Sequence, residues 1–522
     1  MSRFNIRVSG FLFIATFVIF FALMFKTPIP TAPCKRCNII IISIDSLRAD
    51  HMGLYGYEKN TTPLIDTWAK DAFVFDNYYV NAYLTPISAA GLHTGLDTGN
   101  HGVINFQAYL RDGVKMIAER LVDEGYLTAA IGNSSEFEIW PAMENNFHRG
   151  FSVYEPGGTR AEIPWTNIKG FITEKSDPFF LWIPIGKVHW PYGLGSTPKF
   201  TDPEYRGVLK NKILNASVFN HLYNGLLHVP LPQKFTGFFG FIDDRNFSNT
   251  TYYQYPEEIR GRSVEIFSDD VQYIRNQYDN GVAQTDREIG EFLNWLKQNG
   301  YDKNTVVIIE SEHGEDLGEH RYVAHYDIFD TNIRVPLIIK VPNTTGGRLG
   351  QLMSNVDVLP TINDILGLGF KLRNINGKTA ISLLRGSSEE IRDEVFITRT
   401  PLWERFVFVQ DTDSIFSEFR RKDDESHFRD TAIRNKEWKL IHRRAREIEN
   451  YYSLWRFIGG TPPTRAEYEL YNLFQDPLEQ DNVAEQFPGI VIKLKYRLLQ
   501  WEEASWNEKL IPSTTRDLQE YF

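Results

Sequence analysis

Asn38-Ile39-Ile40-Ile41-Ile42-Ser43-Ile44, running directly into Asp45-Ser46-Leu47-Arg48-Ala49-Asp50, is the stretch that decides the fold. A short, β-branched, nearly unbroken apolar run is the pattern of a strand buried on both faces. A polar cluster at the carboxyl end of such a strand is where open α/β sheets place their sites. Outward from it, 62–72 predicts a helix with Pro63 near its start. Residues 114–123 predict another, followed by a strand at 128–131. Phe179–Ile185 reads as a third buried strand. Residues 278–298 have helical periodicity. A fourth strand, 305–309, leads into Glu310-Ser311-Glu312-His313-Gly314-Glu315. Strands alternating with helices predict an α/β fold with a doubly wound, mostly parallel sheet.

The chain has 522 residues, too many for one ordinary core. We expect a catalytic domain over 38–385 and a smaller C-terminal α+β subdomain over 386–522. The pattern weakens near 193–269, which reads as an insertion shaping a substrate cleft. Apolar content of 42% and charged content of 24% are those of a globular protein. A net charge of −11 argues against nucleic acid as the main partner, because neutralising phosphates needs a basic surface. The cysteines are two, Cys34 and Cys37, so no disulfide framework holds the fold together. Their spacing fits a redox or metal pair, but the plainer expectation is two juxtamembrane thiols or a bridge between them. Between Arg7 and Lys26 lie 18 uncharged residues rich in Phe, Ile and Leu. Residues 1–37 are therefore expected to be a membrane anchor or signal segment with a linker, leaving the catalytic domain outside the cytoplasm.

A series of motifs follows the first strand in order. They include Asp45 through His51, Tyr55-Gly56-Tyr57, Thr61-Thr62-Pro63, Thr85-Pro86-Ile87-Ser88-Ala89-Ala90-Gly91-Leu92-His93-Thr94-Gly95 and Arg149-Gly150-Phe151. Then come His189-Trp190-Pro191-Tyr192, Glu312 through His320, His325, Arg334-Val335-Pro336, Asp357 through Thr361, and Glu469 through Leu473. Lined up over roughly 38–485, they resemble the sulfatase family of the alkaline-phosphatase superfamily.

The resemblance implies a metal-dependent ester hydrolase of alkaline-phosphatase-like fold. Asp45, Glu312 and His313 offer two carboxylates and an imidazole at strand ends, with Thr85 as the remaining donor and nucleophile. That set suits one divalent ion, Zn²⁺ or Mn²⁺ first, with Mg²⁺ or Ca²⁺ possible. Typical family members carry a cysteine, converted to formylglycine, where this chain has Thr85. Ser88 matches the motif serine, but Ala89 replaces its arginine and Ile87 its proline. Formylglycine cannot form from threonine, whereas a threonine alkoxide can attack phosphorus. The phosphodiesterase and phosphoethanolamine- or glycerophosphate-transferase branches use threonine in this way.

Other departures agree with this. The lysine and histidine of the usual sulfate clamp are missing from Gly132-Asn133-Ser134-Ser135, and Ser46 replaces the second aspartate of the usual pair. His189 and His325 are the candidates for binding an anionic oxygen or protonating a leaving group. Lys187 and Ser88 are candidate substrate-binding residues. Asp316 and His320 have the spacing of a second metal pair, but one metal is expected. His93 is expected to pack rather than react. The predicted activity is cleavage of a phosphate ester or diester on a lipid head group, glycan or small molecule. The alternatives are a sulfuric ester hydrolase acting on a sulfated glycan, a transferase, and an inactive binding protein.

Overall fold

The computed structural model describes residues 34–506, except 106–107, 135–145, 158–159, 175–177, 191, 194–195, 208–209, 211–267, 321–322, 326, 373, 401–428 and 445–466. The apolar segment expected to be an anchor lies outside the described residues, as does most of the stretch near 193–269. Among the described residues no helix is long and apolar enough to cross a membrane.

The isoleucine run forms β1 (Asn38–Ile44), inside an eight-stranded sheet. The other strands are β2 (Phe73–Tyr79), β3 (Leu127–Ile131), β4 (Val153–Glu155), β5 (Phe179–Ile185), β6 (Thr305–Glu310), β9 (Leu337–Lys340) and β10 (Gly347–Ser354). Their order is β10-β2-β9-β6-β1-β5-β3-β4, and β7 (Asp316–Leu317) and β8 (Val323–Ala324) pair separately as a two-stranded antiparallel ribbon. Within the large sheet only β9 pairs antiparallel, with β2 and β6; the other pairings are parallel. Successive residues of β1 feed opposite cores. Ile39 and Ile41 join one apolar cluster, and Ile40, Ile42 and Ile44 join the other. That two-sided burial explains the unbroken apolar run, each isoleucine contributing about 1.5–3 kcal/mol.

Helices cover both faces. They are α1 (Pro63–Trp68), α2 (Thr85–Thr94), α3 (Ile117–Asp123), α4 (Trp165–Thr173), α5 (Ser268–Gln298), α6 (Asp330–Ile333) and α7 (Val358–Leu366). The predicted helix at 62–72 ends early, continuing as a 3-10 turn over Ala69–Asp71, and the one at 278–298 starts ten residues sooner, at Ser268. A disulfide joins Cys34 and Cys37 just before β1.

The C-terminal part is α+β. Strands β11 (Val395–Arg399), β12 (Asp430–Arg434), β13 (Trp438–Arg443) and β14 (Tyr468–Asn472) form an antiparallel sheet. Helix α8 (Pro488–Trp506) packs on it through Leu494, Leu498 and Trp501. Buried ion pairs tie this sheet to the segment around helix α6: Arg443 meets Asp327 at 2.6 Å and Lys439 meets Asp330 at 3.0 Å, while Arg443 also meets Glu469 of the neighbouring strand β14 at 2.6 Å.

Candidate active site

Three adjacent parallel strands, β6, β1 and β5, end level with one another: Ser43 is registered with Glu310, and Ile44 with Ile185. Residues just past these ends therefore share one edge of the sheet. Asp45 follows β1, Glu312 and His313 follow β6, and Lys187 and His189 follow β5. The turn after β1 is tight. Ser46 has φ of 64°, a left-handed conformation that costs a non-glycine residue about 1–3 kcal/mol unless its surroundings hold it. Here they do: the Tyr278 hydroxyl donates to the Ser46 carbonyl at 2.7 Å, and Leu47 N–H donates to Ser311 Oγ at 3.0 Å. Ser311 Oγ in turn donates to the His313 carbonyl at 2.6 Å, so the loops after β1 and β6 are tied together.

Thr85 opens α2, with Leu84 extended before it and Pro86 next. Its hydroxyl thus lies at the positive end of a ten-residue helix, where developing negative charge is stabilised by about 0.3–1 kcal/mol. Thr85 Oγ1 is 3.0 Å from His313 Nε2, and Asp45 Oδ1 is 3.2 Å from the same nitrogen. His313 Nδ1 lies 2.9 Å from the Gly314 carbonyl, an acceptor, so Nδ1 carries the hydrogen and Nε2 presents a lone pair. Burial, followed by the nearby His325, holds the His313 pKa well below the ordinary imidazole range, and the ring is neutral.

A carboxylate oxygen and an imidazole lone pair therefore face each other beside a hydroxyl. Hard oxygens with one imidazole nitrogen fit a divalent cation of the Zn²⁺ or Mn²⁺ kind, so these residues suit a metal. Glu312, the residue before His313 just past the end of β6, is buried. Among the described residues no group of three His, Cys, Asp or Glu side chains is gathered closely enough for a metal ion. The donors brought together are Asp45, Thr85 and His313.

His325 and His189 are brought to the same place. The His325 ring centroid lies 4.0 Å from that of His313 and 4.9 Å from that of His189. Burial, then the Arg160 charge, pushes the His325 pKa down to about 3 and that of His189 well below its usual range. Both rings are neutral. Ala324, just before His325, has φ of 88°, a second strained non-glycine residue beside a site histidine.

Two further residues belong to this cluster. Arg160 Nη1 is 2.6 Å from both His189 Nδ1 and the Trp190 carbonyl. His189 Nδ1 also lies 2.8 Å from the Trp190 carbonyl, so this nitrogen faces a donor and an acceptor together. Glu315 is buried, with Oε2 3.3 Å from His325 Nδ1 and Oε1 accepting from the Tyr192 hydroxyl at 2.9 Å. Burial raises its pKa to about 7. Glu315 stood in a motif but carried no assigned role. Arg160 had no local sequence signal, since its place is set by residues about 30 positions away.

The remaining candidates are engaged elsewhere. Lys187 Nζ donates to Glu288 Oε1 at 2.6 Å and to the Ala161 carbonyl at 2.7 Å, so its charge is committed to α5. Ser88 Oγ accepts from Asn355 Nδ2 at 3.2 Å, one turn inside α2. Both His320 nitrogens are occupied, Nδ1 by Asp316 and Nε2 by the Leu478 carbonyl at 2.8 Å. His93 packs edge-on against Trp182 at 4.5 Å.

Comparison with known proteins agrees with this architecture. The sulfatase family model matches residues 37–368. An arylsulfatase from Clostridium perfringens is 23% identical over 406 residues, covering 69% of this chain and 80% of that protein. An N-acetylglucosamine-6-O-sulfatase from Bacteroides thetaiotaomicron is 22% identical, covering 86% of this chain and 83% of that protein. Among solved structures, the phosphonate monoester hydrolase of Agrobacterium radiobacter superposes with a TM-score of 0.62 at 20% identity, covering 90% of this chain and 96% of that one. A protein solved with its substrate D-glucosamine-2-N,6-O-disulfate gives 0.63 at 19% identity, covering 91% and 98%. The alternation of strands and helices, the level strand ends and the match over most of the chain converge: the chain belongs to the sulfatase family of ester-bond hydrolases.

Proposed function

We propose that this chain cleaves a phosphate ester or diester with Thr85 as nucleophile, on a lipid head group, glycan or small molecule. The observation that carries this reading is the Thr85 Oγ1 to His313 Nε2 contact of 3.0 Å at the start of α2. A threonine at position 85, whose secondary alcohol cannot give the formylglycine aldehyde, supports it.

Asp45, His313 and Thr85 would hold one divalent ion, with Glu312 as the adjacent carboxylate. Such an ion, when bound, acidifies a hydroxyl and offsets anionic charge. The chain's own residues supply the rest. Thr85 Oγ1 forms a bond to phosphorus while the ester bond to the leaving alcohol breaks, and the departing oxygen takes up a proton. Water then breaks the Thr85–phosphorus bond, restoring the hydroxyl and releasing the phosphate. Neutral His189 and His325 act first as N–H donors to anionic oxygens. The proton that Thr85 gives up on attack passes through one of these imidazoles to the departing oxygen, and the ring returns to its neutral form. A second alcohol in place of water would make the same site a transferase.

Hydrolysis of sulfate esters on a glycan is the second reading. It is favoured by the relatives, which carry sulfatase names. The domain limits 38–385 and 386–522 and an N-terminal anchor over 1–37 belong to this proposal. The Cys34–Cys37 disulfide supports a site outside the cytoplasm.

The test is a turnover screen of aryl sulfate, phosphate monoester and phosphodiester with Mn²⁺, Zn²⁺, Mg²⁺ and Ca²⁺, run beside Thr85→Ala. Metal-dependent phosphodiester turnover that vanishes in the variant is expected. Sulfate turnover that survives in the variant would overturn the nucleophile assignment.

A further inference from the structure

Helix α2 carries Thr85 at its first position, and all ten of its residues are buried. Apolar packing is non-directional, so it seats such a helix without fixing its position along its own axis. A buried amide pair supplies the direction. Asn81 lies just past β2 and Asn355 just past β10, at neighbouring strand ends registered through Tyr79 and Ser354. Asn81 N–H donates to Asn355 Oδ1 at 3.0 Å, and Asn355 Nδ2 donates to Asn81 Oδ1 at 2.9 Å. The same Nδ2 donates to the Ser88 carbonyl of α2 at 2.9 Å, one turn after Thr85. Ser354 Oγ also donates to Asn355 Oδ1, at 3.2 Å. Gly91 lies against this pair: a Cβ there would be 2.8 Å from Asn355 Nδ2 and from both polar side-chain atoms of Asn81. A glycine weakens a helix interior. Here its missing side chain is the space into which the two amides fit.

We propose that Asn355, with Asn81 and the gap at Gly91, is a positioning residue for the nucleophile: it locks helix α2 to the sheet so that Thr85 Oγ1 stands 3.0 Å from His313 Nε2. The chain of contacts runs from the two strand ends through the amides to Ser88, and along one helical turn to Thr85. Hydrogen bonds, narrow in length and angle, resist an axial slide that packing tolerates. A displacement of about 1 Å at a reacting atom is enough to cost on the order of 100-fold in rate. Asn355 acts through Ser88 and the helix, not on the substrate. The inference rests on the reading of Thr85 as nucleophile.

The test is calorimetric titration of the full-length chain, loaded with Mn²⁺, with orthovanadate, which takes on a fifth oxygen and so mimics the phosphoryl transition state. Wild type, Thr85→Ala, Gly91→Ala and Asn355→Asp are compared, with thermal melts to show that each is folded. Gly91→Ala fills the gap, and Asn355→Asp keeps the shape but removes the donor to Ser88, so either folded variant decides. Both are expected to weaken orthovanadate binding on the order of 10- to 100-fold, and Thr85→Ala at least as much. A role confined to stability would lower the melting temperature and leave the affinity of the folded protein unchanged, which overturns the proposal. If Thr85→Ala binds as wild type does, the Thr85 reading falls and this inference with it. If Thr85→Ala loses binding while folded Gly91→Ala and Asn355→Asp keep wild-type affinity, this inference falls alone. A wild type that does not bind orthovanadate overturns it as well.

Discussion

Thr85 and His313 are 228 positions apart in the chain, yet Thr85 Oγ1 lies 3.0 Å from His313 Nε2. One residue starts a helix and the other ends a buried strand, and Asp45 Oδ1 approaches the same nitrogen at 3.2 Å. This meeting of a hydroxyl, an imidazole lone pair and a carboxylate is where we propose the chemistry takes place.

Such a centre should take up a divalent ion. Adding Mn²⁺ or Zn²⁺ to chelator-treated protein is expected to raise the melting temperature, by mass action on the folded state. Asp45→Asn should abolish most of that rise while remaining folded. An equal rise in the variant would place the ion elsewhere.

Gly314 holds His313 in place. Its N–H donates to the Asn332 carbonyl at 2.7 Å, and a Cβ there would meet the Thr331 carbonyl oxygen at 2.1 Å. Gly314→Ala must therefore shift the backbone beside His313. We expect a loss of about 1–3 kcal/mol in stability and a larger relative loss of turnover. Unchanged turnover, measured alongside a denaturant melt, would show that the loop tolerates the shift.

Arg443 is buried among Asp327, Asp430 and Glu469, at 2.6, 3.3 and 2.6 Å. Its neighbours hold its pKa well above the usual arginine value, with burial opposing them. Removing it strands the buried carboxylates of Asp327, Asp430 and Glu469. Arg443→Met is expected to destabilise by about 3–5 kcal/mol. A wild-type denaturation midpoint in that variant would mean these carboxylates are held by other contacts.

Asp286 gives a pH signature far from the site. It accepts Ile65 N–H at 2.8 Å and Leu64 N–H at 3.1 Å, and burial pushes its carboxyl pKa up from 3.8 to about 6. The folded chain thus binds this proton more tightly than the unfolded chain does. The associated stability is complete below pH 3.8 and is lost as pH rises through 6. Asp286→Asn keeps an acceptor without the charge. Its stability relative to wild type should climb between about pH 4 and 7, by at most about 3 kcal/mol, and then level off. A difference that does not vary with pH would contradict this.

The parts of the fold that were legible in the sequence are those buried on both faces. β1 and β6 read directly because a strand covered by helices on each side has no polar period to disguise it. β2 was not recognised, since Asp76 and Asn77 interrupt its apolar run where it is half-buried. Of the site, Asp45, Thr85, His189, His313 and His325 could be named from ordered motifs. Arg160 could not: only the fold brings it to His189. The engagement of Lys187 by Glu288 likewise depends on helix α5, 101 positions away.

The most direct test is chemical trapping of the covalent intermediate. The full-length chain is mixed with a phosphodiester and the required metal, quenched in acid, digested and mapped by mass spectrometry. A phosphoryl group on Thr85, absent from Thr85→Ala, with turnover in the variant reduced on the order of 1000-fold or more, is the predicted result. Undiminished turnover by Thr85→Ala, or a phosphoryl group on another residue, would contradict the assignment.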